Sequence, residues 1–171
     1  VMSFLMTATP INMHVMEHYS LNKTSIVIQL HIVSMFLPSL ITGNLLKKFG
    51  HSIIIYVGVT FFILTILLSF LQPSFFNYLF SLIFLGIGWN FLYLSGTGLL
   101  VLSYREDEKF KAQGFNDILV FSTQAIASLS AGYILSMTSW KTMNLIAVPF
   151  LILIVLSSVR ADLSTDRKLV N

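Results

Sequence analysis

This sequence has few charged residues and no cysteine. Only 10% of the 171 residues are charged, whereas soluble globular domains carry about 25%. So few charged side chains cannot cover a soluble surface, and an ordinary soluble domain is therefore excluded. The chain has no cysteine, which excludes disulfide bonds. It also lacks a stripe of basic and aromatic residues, so we expect no nucleic-acid partner.

Long apolar blocks take the place of charge. Hydrophobic residues make up 56% of the chain, and a helix needs about 20 apolar residues to cross about 30 Å of hydrocarbon. Backbone groups in lipid must be paired within their own segment, which helices achieve. Six blocks approach the required length, namely 1–19, 24–46, 52–71, 75–102, 113–137 and 142–159. The sequence predicts an all-α, polytopic protein of the lipid bilayer, with six transmembrane helices in residues 1–160 and a tail in residues 161–171.

Basic residues are unevenly divided between the two sides of the predicted bundle. If the first block runs outward, the outer loops receive only Lys23 and Lys141. The inner side receives eight basic residues, Lys47, Lys48, Arg105, Lys109, Lys111, Arg160, Arg167 and Lys168. Short cytoplasmic loops are enriched in lysine and arginine. We therefore expect a cytoplasmic C-terminus and a cell membrane, the bacterial inner membrane, as the location.

The first block starts abruptly. It begins at Val1 without a start methionine or a basic flank. A cleaved signal peptide would carry basic residues and a small-residue cleavage site, and neither precedes the polar turn that starts at Glu17. We therefore interpret the block as a helix whose first part is missing, and the chain as a fragment.

Polar residues recur at helical spacing within four of the six blocks. The four stripes are Ser3, Thr7, Pro10 and His14; His31, Ser34, Pro38 and Thr42; Gly86, Asn90, Tyr93 and Thr97; and Gly114, Asp117, Phe121, Gln124 and Ser128. Polar side chains in hydrocarbon are costly and usually face a bundle interior or a water-filled path. The third and sixth blocks lack stripes, and we expect them to face lipid on all sides. This order predicts two three-helix repeats, which are typical of alternating-access transporters.

The loop after the second block carries a family motif. The run Gly43-Asn44-Leu45-Leu46-Lys47-Lys48-Phe49-Gly50-His51 resembles the loop motif of the major facilitator superfamily, Gly-x-Leu-x-Asp-Arg-x-Gly-Arg. The glycines and Leu45 fit this pattern and Lys48 replaces arginine, whereas Lys47 and His51 depart from it. Such a degraded copy is similar to the one between helices eight and nine of that family.

The resemblance implies the C-terminal six-helix half of a twelve-helix carrier, in which the unstriped blocks are the peripheral helices nine and twelve. It implies transport of a small solute by alternating access, and we expect no cofactor. The matching N-terminal half would come from an upstream region, a second chain or a homodimer. Within the motif, Gly43 and Gly50 would let the chain turn. Lys47 and Lys48 would form a conformational latch or, equally well, anchor the inner surface.

In a carrier of this kind, polar and aromatic residues within the spans are candidates for the solute cavity. We select Asn12, His14, Gln29, His31, Trp89, Asn90, Tyr93 and Gln124. Asn116 and Asp117 lie about one and a half turns beyond Lys111 and are candidates for a cytoplasmic entrance. Small and hydroxyl-bearing residues also pack membrane helices together without any solute, so packing remains the alternative at each position.

Two histidines, His14 and His31, lie within predicted spans. Histidine changes charge near physiological pH, so either side chain could couple solute movement to a proton. A facilitative carrier is the alternative mechanism. A histidine hydrogen-bonded between two helices would explain each position equally well.

Two other functions, a zinc peptidase and a membrane scaffold, compete with transport. The run His14-Val15-Met16-Glu17-His18 matches a zinc-peptidase pattern, but it lies at a membrane exit and no downstream acid is placed as a third ligand. We therefore expect no metal site and no enzyme. A membrane scaffold, whose striped faces bind partner helices instead of a solute, is the alternative function.

Overall fold

The computed structural model describes residues 1–170, with side chains described for residues 1–160. Eight α-helices follow one another in this range: Met2–Ile11 (α1), Leu21–Phe36 (α2), Ser39–Phe49 (α3), His51–Ser69 (α4), Phe75–Val101 (α5), Lys109–Met137 (α6), Trp140–Ile146 (α7) and Val148–Val170 (α8). A π-helical turn, Asn12–Met16, follows α1, and a 3-10 turn, Glu106–Glu108, precedes α6. The predicted all-α fold class is confirmed. The side chains of the predicted tail, 161–171, lie outside the described residues.

Four helical stretches in the described part of the chain are long and apolar enough to cross a membrane: His51–Ser69, Phe75–Val101, Glu106–Met137 and Trp140–Arg160. Helices α2 and α3 are bent by 41° and form a fifth span if the pair crosses as one. The first predicted block comprises α1, with 10 residues, and the π-helical turn, with 5. Together they reach about 22 Å, which is less than the hydrocarbon thickness of about 30 Å.

The bend between α2 and α3 lies at Pro38. Proline has no backbone N–H, and its ring clashes with the carbonyl one turn earlier, so it interrupts a helix. Helix α2 accordingly ends at Phe36 and α3 begins at Ser39. The Pro38 carbonyl starts the new helix, because it accepts backbone hydrogen bonds from Ile41 and Thr42, both at 2.9 Å.

Helix α5 lies between α2 and α4 and packs closely against both. A Cβ atom at Gly86 would lie only 2.8 Å from the carbonyl oxygen of His31 on α2. A Cβ atom at Gly88, on the opposite side of α5, would lie 2.9 Å from the carbonyl oxygen of Gly58 on α4. Because a side chain at either position would meet backbone, glycine allows these helices to approach one another.

The unstriped third block is not surrounded by lipid, so this expectation was wrong. One side of α4 is buried against its neighbours, mainly α5, and this side comprises Ile54, Ile55, Gly58, Val59, Phe62, Thr65, Ile66 and Ser69. In the sixth block, Leu151 of α8 is buried as well. Lipid tails are as apolar as leucine side chains. A uniformly apolar helix therefore gives no sequence signal for the side that meets protein.

Helix α6 is the most exposed of the spans. Within its described length only Ala131 and Leu135 are buried. The predicted interior stripe on this helix holds only in its second half, where Gln124 and Ser128 are half-buried, whereas Asp117 is exposed. Helical periodicity determines which side chains share a face, but it does not determine what lies opposite that face.

Candidate solute cavity

A cavity of about 570 Å³ lies between α1, α4, α5, α6 and α8. Its walls are mostly apolar. The aromatic lining residues are Phe62, Trp89, Tyr93 and Phe150, and the other polar lining residues are Ser3, Thr97, Asn116, Thr123 and Gln124. Among the residues whose side chains the structure describes, none that lines the cavity carries a charged side chain. Small-molecule sites typically have volumes of about 300–1,000 Å³, with apolar walls and a few polar groups. The cavity has the size and composition of such a site.

Helix α5 contributes an aromatic wall. Trp89 and Tyr93 lie one turn apart, so their side chains project from the same face of the helix. Their ring centroids are 4.9 Å apart and the planes differ by 9°, which is a stacked arrangement. The ring of Phe36, on α2, meets Trp89 edge-on at 6.3 Å. These contacts hold the two rings at the edge of the cavity.

Helices α1 and α6 form the wall opposite the aromatic rings, and their contacts show how the two helices are aligned. The hydroxyl groups of Thr7 and Ser128 are hydrogen-bonded at 2.8 Å, and one turn farther along both helices Ile11 lies next to Gly132. The two helices are therefore parallel. One turn in the other direction, Ser3 and Gln124 lie at matching depth, and both line the cavity. Gln124 and Trp89 are each near the middle of their spans, Glu106–Met137 and Phe75–Val101.

Asn90 does not line the cavity but forms hydrogen bonds to residues on both sides of the bend between α2 and α3. Its amide nitrogen donates to the Met35 carbonyl oxygen at 2.8 Å and to the Ser39 hydroxyl oxygen at 2.6 Å. Its amide oxygen lies 2.8 Å from the Thr42 hydroxyl, whose single hydrogen can also be donated to the Pro38 carbonyl oxygen. Asn90 is buried. It supplies hydrogen bonds to backbone and side chains where the helix is interrupted.

His31 is fully buried between α2 and α5, at 0% exposure. Its Nδ1 atom lies 2.7 Å from the Leu82 carbonyl oxygen. A carbonyl oxygen only accepts hydrogen bonds, so Nδ1 carries the hydrogen. The Nε2 atom is buried without a hydrogen-bond partner among the described residues. His31 therefore joins two helices and keeps one nitrogen that can accept a proton.

The other three predicted cavity residues lie outside the cavity lining. Asn12 is buried and donates to the Tyr78 hydroxyl at 2.5 Å. His14 is exposed in the π-helical turn, where its Nδ1 atom lies 2.8 Å from the Tyr19 carbonyl oxygen. Gln29 is exposed on α2. The sequence pattern placed these side chains within spans but could not show which helix face they occupy.

The loop motif lies at the end of α3. Gly50 ends this helix with φ of +81°, a left-handed conformation that favours glycine. Gly43 lies inside α3, so its predicted role in the turn was wrong. Lys47 and Lys48 are exposed in the last turn of α3, where their positive charges stabilise the negative end of the helix dipole.

At the predicted entrance, Asn116 lines the cavity, and its amide nitrogen lies 3.4 Å from an oxygen of the exposed Asp117.

Several residues of the cavity and of the bend between α2 and α3 were not predicted from the sequence. The apolar lining from the sixth block, Phe150, Leu153 and Ile154, has no polar pattern that would mark it. Ser39, which bonds to Asn90 at the bend, could have been predicted, because it directly follows the helix-interrupting Pro38.

The zinc-peptidase pattern does not form a metal site in the described part of the chain, where no group of three or more His, Cys, Asp or Glu residues converges.

Comparison with known proteins places the chain in a family. The sequence profile of the Major Facilitator Superfamily matches residues 1–168. The riboflavin transporter RfnT of Brucella anthropi is 36% identical over 154 residues, which are 90% of this chain and 38% of that protein. The uncharacterized MFS-type transporters YddS and YdeG of Bacillus subtilis are 31% and 34% identical, and each alignment covers 85% of this chain and 34% of the relative. No solved structure matches the chain.

The chain spans little more than a third of the length of these curated relatives. Within that length, the profile match covers nearly every residue. The described part of the chain folds into helices, four of which are able to cross a membrane, and this agrees with the family. The chain therefore belongs to the major facilitator superfamily.

Proposed function

We propose that this chain takes part in the transmembrane transport of a small solute, as the C-terminal half of a carrier that works by alternating access. The observation that carries the proposal is the cavity of about 570 Å³ halfway along the spans, where Trp89, Tyr93 and Gln124 lie between apolar walls. Secondary transporters hold their solute near the bilayer midplane, between structural repeats. This chain would supply one side of such a site.

The other side would come from a matching half, either an upstream region or a second chain. Helix α6 leaves a broad face exposed, which includes Ile118, Phe121 and Leu129. The same helix exposes Asp117, and a carboxylate within a span is costly in lipid. A protein partner on α6 would shield this group, which favours protein over lipid as the neighbour of that part of the helix.

Riboflavin is the first solute to test. A riboflavin transporter is among the relatives that align with 90% of this chain. The stacked rings of Trp89 and Tyr93 offer a surface for a flat aromatic ring, because such rings prefer offset-stacked contacts. The proposal therefore includes a riboflavin-like solute.

An uptake assay tests the transport proposal. The complete carrier, joined from this chain and its matching half, would be expressed in cells that lack riboflavin uptake. We expect riboflavin to accumulate with the joined carrier, and neither half alone to exceed the empty-vector control. If the joined carrier accumulates neither riboflavin nor any of a panel of neutral and charged solutes above that control, the transport proposal fails.

The same assay addresses coupling to protons. We propose His31 as the coupling residue, because its buried Nε2 atom has no partner among the described residues and a ring nitrogen without a hydrogen can accept a proton. Uptake should then rise when the outside is made more acidic, and His31→Gln should remove this dependence while exchange of labelled for unlabelled solute continues. Equal uptake with and without a pH gradient would instead favour a facilitative carrier.

A further inference from the structure

The aromatic wall of the cavity is a fixed, flat surface. Trp89 and Tyr93 are half-buried, and their rings are parallel to within 9°. The edge-on contact of Phe36 limits the rotation of the indole ring. Both rings nevertheless line the cavity. A third ring could extend this stack without reorganising the side chains, so little conformational entropy would be lost on binding.

The polar groups beside this stack are neutral. Gln124 offers one amide oxygen as an acceptor and one NH2 group as a donor, and Asn116 offers the same pair. Thr97 adds a hydroxyl group, which donates to the Tyr93 carbonyl oxygen and can still accept a hydrogen bond. These groups match a heteroaromatic solute, whose ring N–H groups donate hydrogen bonds and whose other ring nitrogens and carbonyl oxygens accept them.

The described side chains of the lining offer no charge that could neutralise an ionised solute. The acid nearest to them along the chain, Asp117, is exposed next to Asn116. An anion that entered such a cavity would lose its hydration without gaining a cationic partner, which is unfavourable. On the side of the site that this chain supplies, the described lining side chains carry no charge, which selects against solutes that carry a phosphate or a carboxylate.

We propose that the cavity binds an uncharged, planar heteroaromatic solute, stacked on the Trp89–Tyr93 pair and hydrogen-bonded to Gln124, and that it discriminates against anionic derivatives of the same ring. This inference rests on the proposed transport function.

Binding to the joined carrier in detergent tests the inference. Riboflavin is the uncharged probe, and flavin mononucleotide, which has the same ring with an added phosphate, is the anionic probe. We expect riboflavin to bind saturably and flavin mononucleotide to bind at least about tenfold more weakly. Trp89→Leu and Tyr93→Leu should each raise the Kd for riboflavin about tenfold, because one change removes the ring on which the solute stacks and the other removes the ring that supports it. Gln124→Leu should weaken binding as well, because it removes the amide.

Matched variants separate stacking from misfolding. Tyr93→Phe keeps the ring and should bind riboflavin like the unmodified carrier. Phe80→Leu removes an aromatic ring from the same helix at an exposed position outside the cavity, and it should also leave the Kd unchanged.

Each outcome decides between the two proposals. If the joined carrier transports riboflavin while Trp89→Leu and Tyr93→Leu bind it as tightly as Phe80→Leu does, the stacking site is refuted and the transport function stands. Equal affinity for riboflavin and flavin mononucleotide would refute the exclusion of anions. If the carrier transports only solutes without an aromatic ring, the solute class is refuted, whereas failure to transport any solute overturns both proposals.

Discussion

Gly86 shows how a single missing side chain determines helix packing. The position faces α2, where a Cβ atom would lie 2.1 Å from the Ser34 hydroxyl oxygen and 2.8 Å from the His31 carbonyl oxygen. The Ser34 side chain could rotate away, but the backbone of α2 could not. This contact also positions His31, whose ring reaches across to the Leu82 carbonyl oxygen of α5. A change at Gly86 would therefore disturb both the packing and the buried histidine.

We predict that Gly86→Ala destabilises the bundle by about 1–3 kcal/mol, the usual cost of overpacking a close contact. Gly96→Ala is the matched control, because Gly96 lies on the same helix and a Cβ atom there would meet nothing within 4 Å. Thermal unfolding in detergent would compare the two variants. A Gly86→Ala midpoint equal to that of Gly96→Ala would show that α2 and α5 pack less closely than described.

At the scale of the element, the bend between α2 and α3 depends on two parts of the sequence. Pro38 interrupts the helix, and Asn90, 52 positions later in the chain, bonds to both sides of the interruption. A proline-kinked membrane helix is tolerated when neighbouring side chains satisfy the freed backbone groups. The contact with Met35 meets this condition, and the contact with Ser39 ties the first turn of α3 to α5.

We predict that Asn90→Ala lowers the free energy of unfolding by about 1–2 kcal/mol, since interhelical hydrogen bonds in membranes contribute about 0.6–2 kcal/mol each and a buried carbonyl would lose its partner. Asn77→Ala is the control, because that side chain lies on the same helix and donates a hydrogen bond to the carbonyl oxygen of the exposed Gln72, away from the bend. Thermal unfolding would again be measured. Equal loss in both variants would contradict a special role of Asn90 at the bend.

At the scale of the whole molecule, the distribution of lysine residues predicts the orientation in the membrane. Lys23 and Lys141 are exposed at one set of helix connections, and Lys48 and Lys111 are exposed at the other. The excess of basic residues at the second set predicts that it faces the cytoplasm. The absence of cysteine from the chain makes each side separately accessible to labelling.

We predict that Lys23→Cys and Lys141→Cys react with a membrane-impermeant maleimide in intact cells, whereas Lys48→Cys and Lys111→Cys react only after the membrane is permeabilised. The unmodified chain, which has no thiol, measures background labelling. The reverse labelling pattern would invert the proposed topology and place the C-terminus outside.

The sequence by itself determined the solvent and the fold class. Long apolar blocks with few charges require lipid, and in lipid the backbone must satisfy its own hydrogen bonds, so helices follow directly from composition. Helical periodicity also identified some of the residues that approach the cavity, including Tyr93 and Gln124. These inferences use only properties that are local along the chain.

The tertiary structure alone decided which face of each helix meets protein. The apolar α4 packs against α5, while much of the striped α6 is exposed. The tertiary structure also decided that Asn90 bonds to both sides of the α2–α3 bend and that the His31 ring bonds to α5. Gln29, a cavity candidate from the sequence, is exposed outside the cavity lining. The physical reason is that lipid and protein interiors are equally apolar, so the hydrophobic effect that orients helices in soluble proteins is absent between membrane helices. Side-chain shape and individual hydrogen bonds fix their arrangement instead, and these depend on residues far apart in the chain.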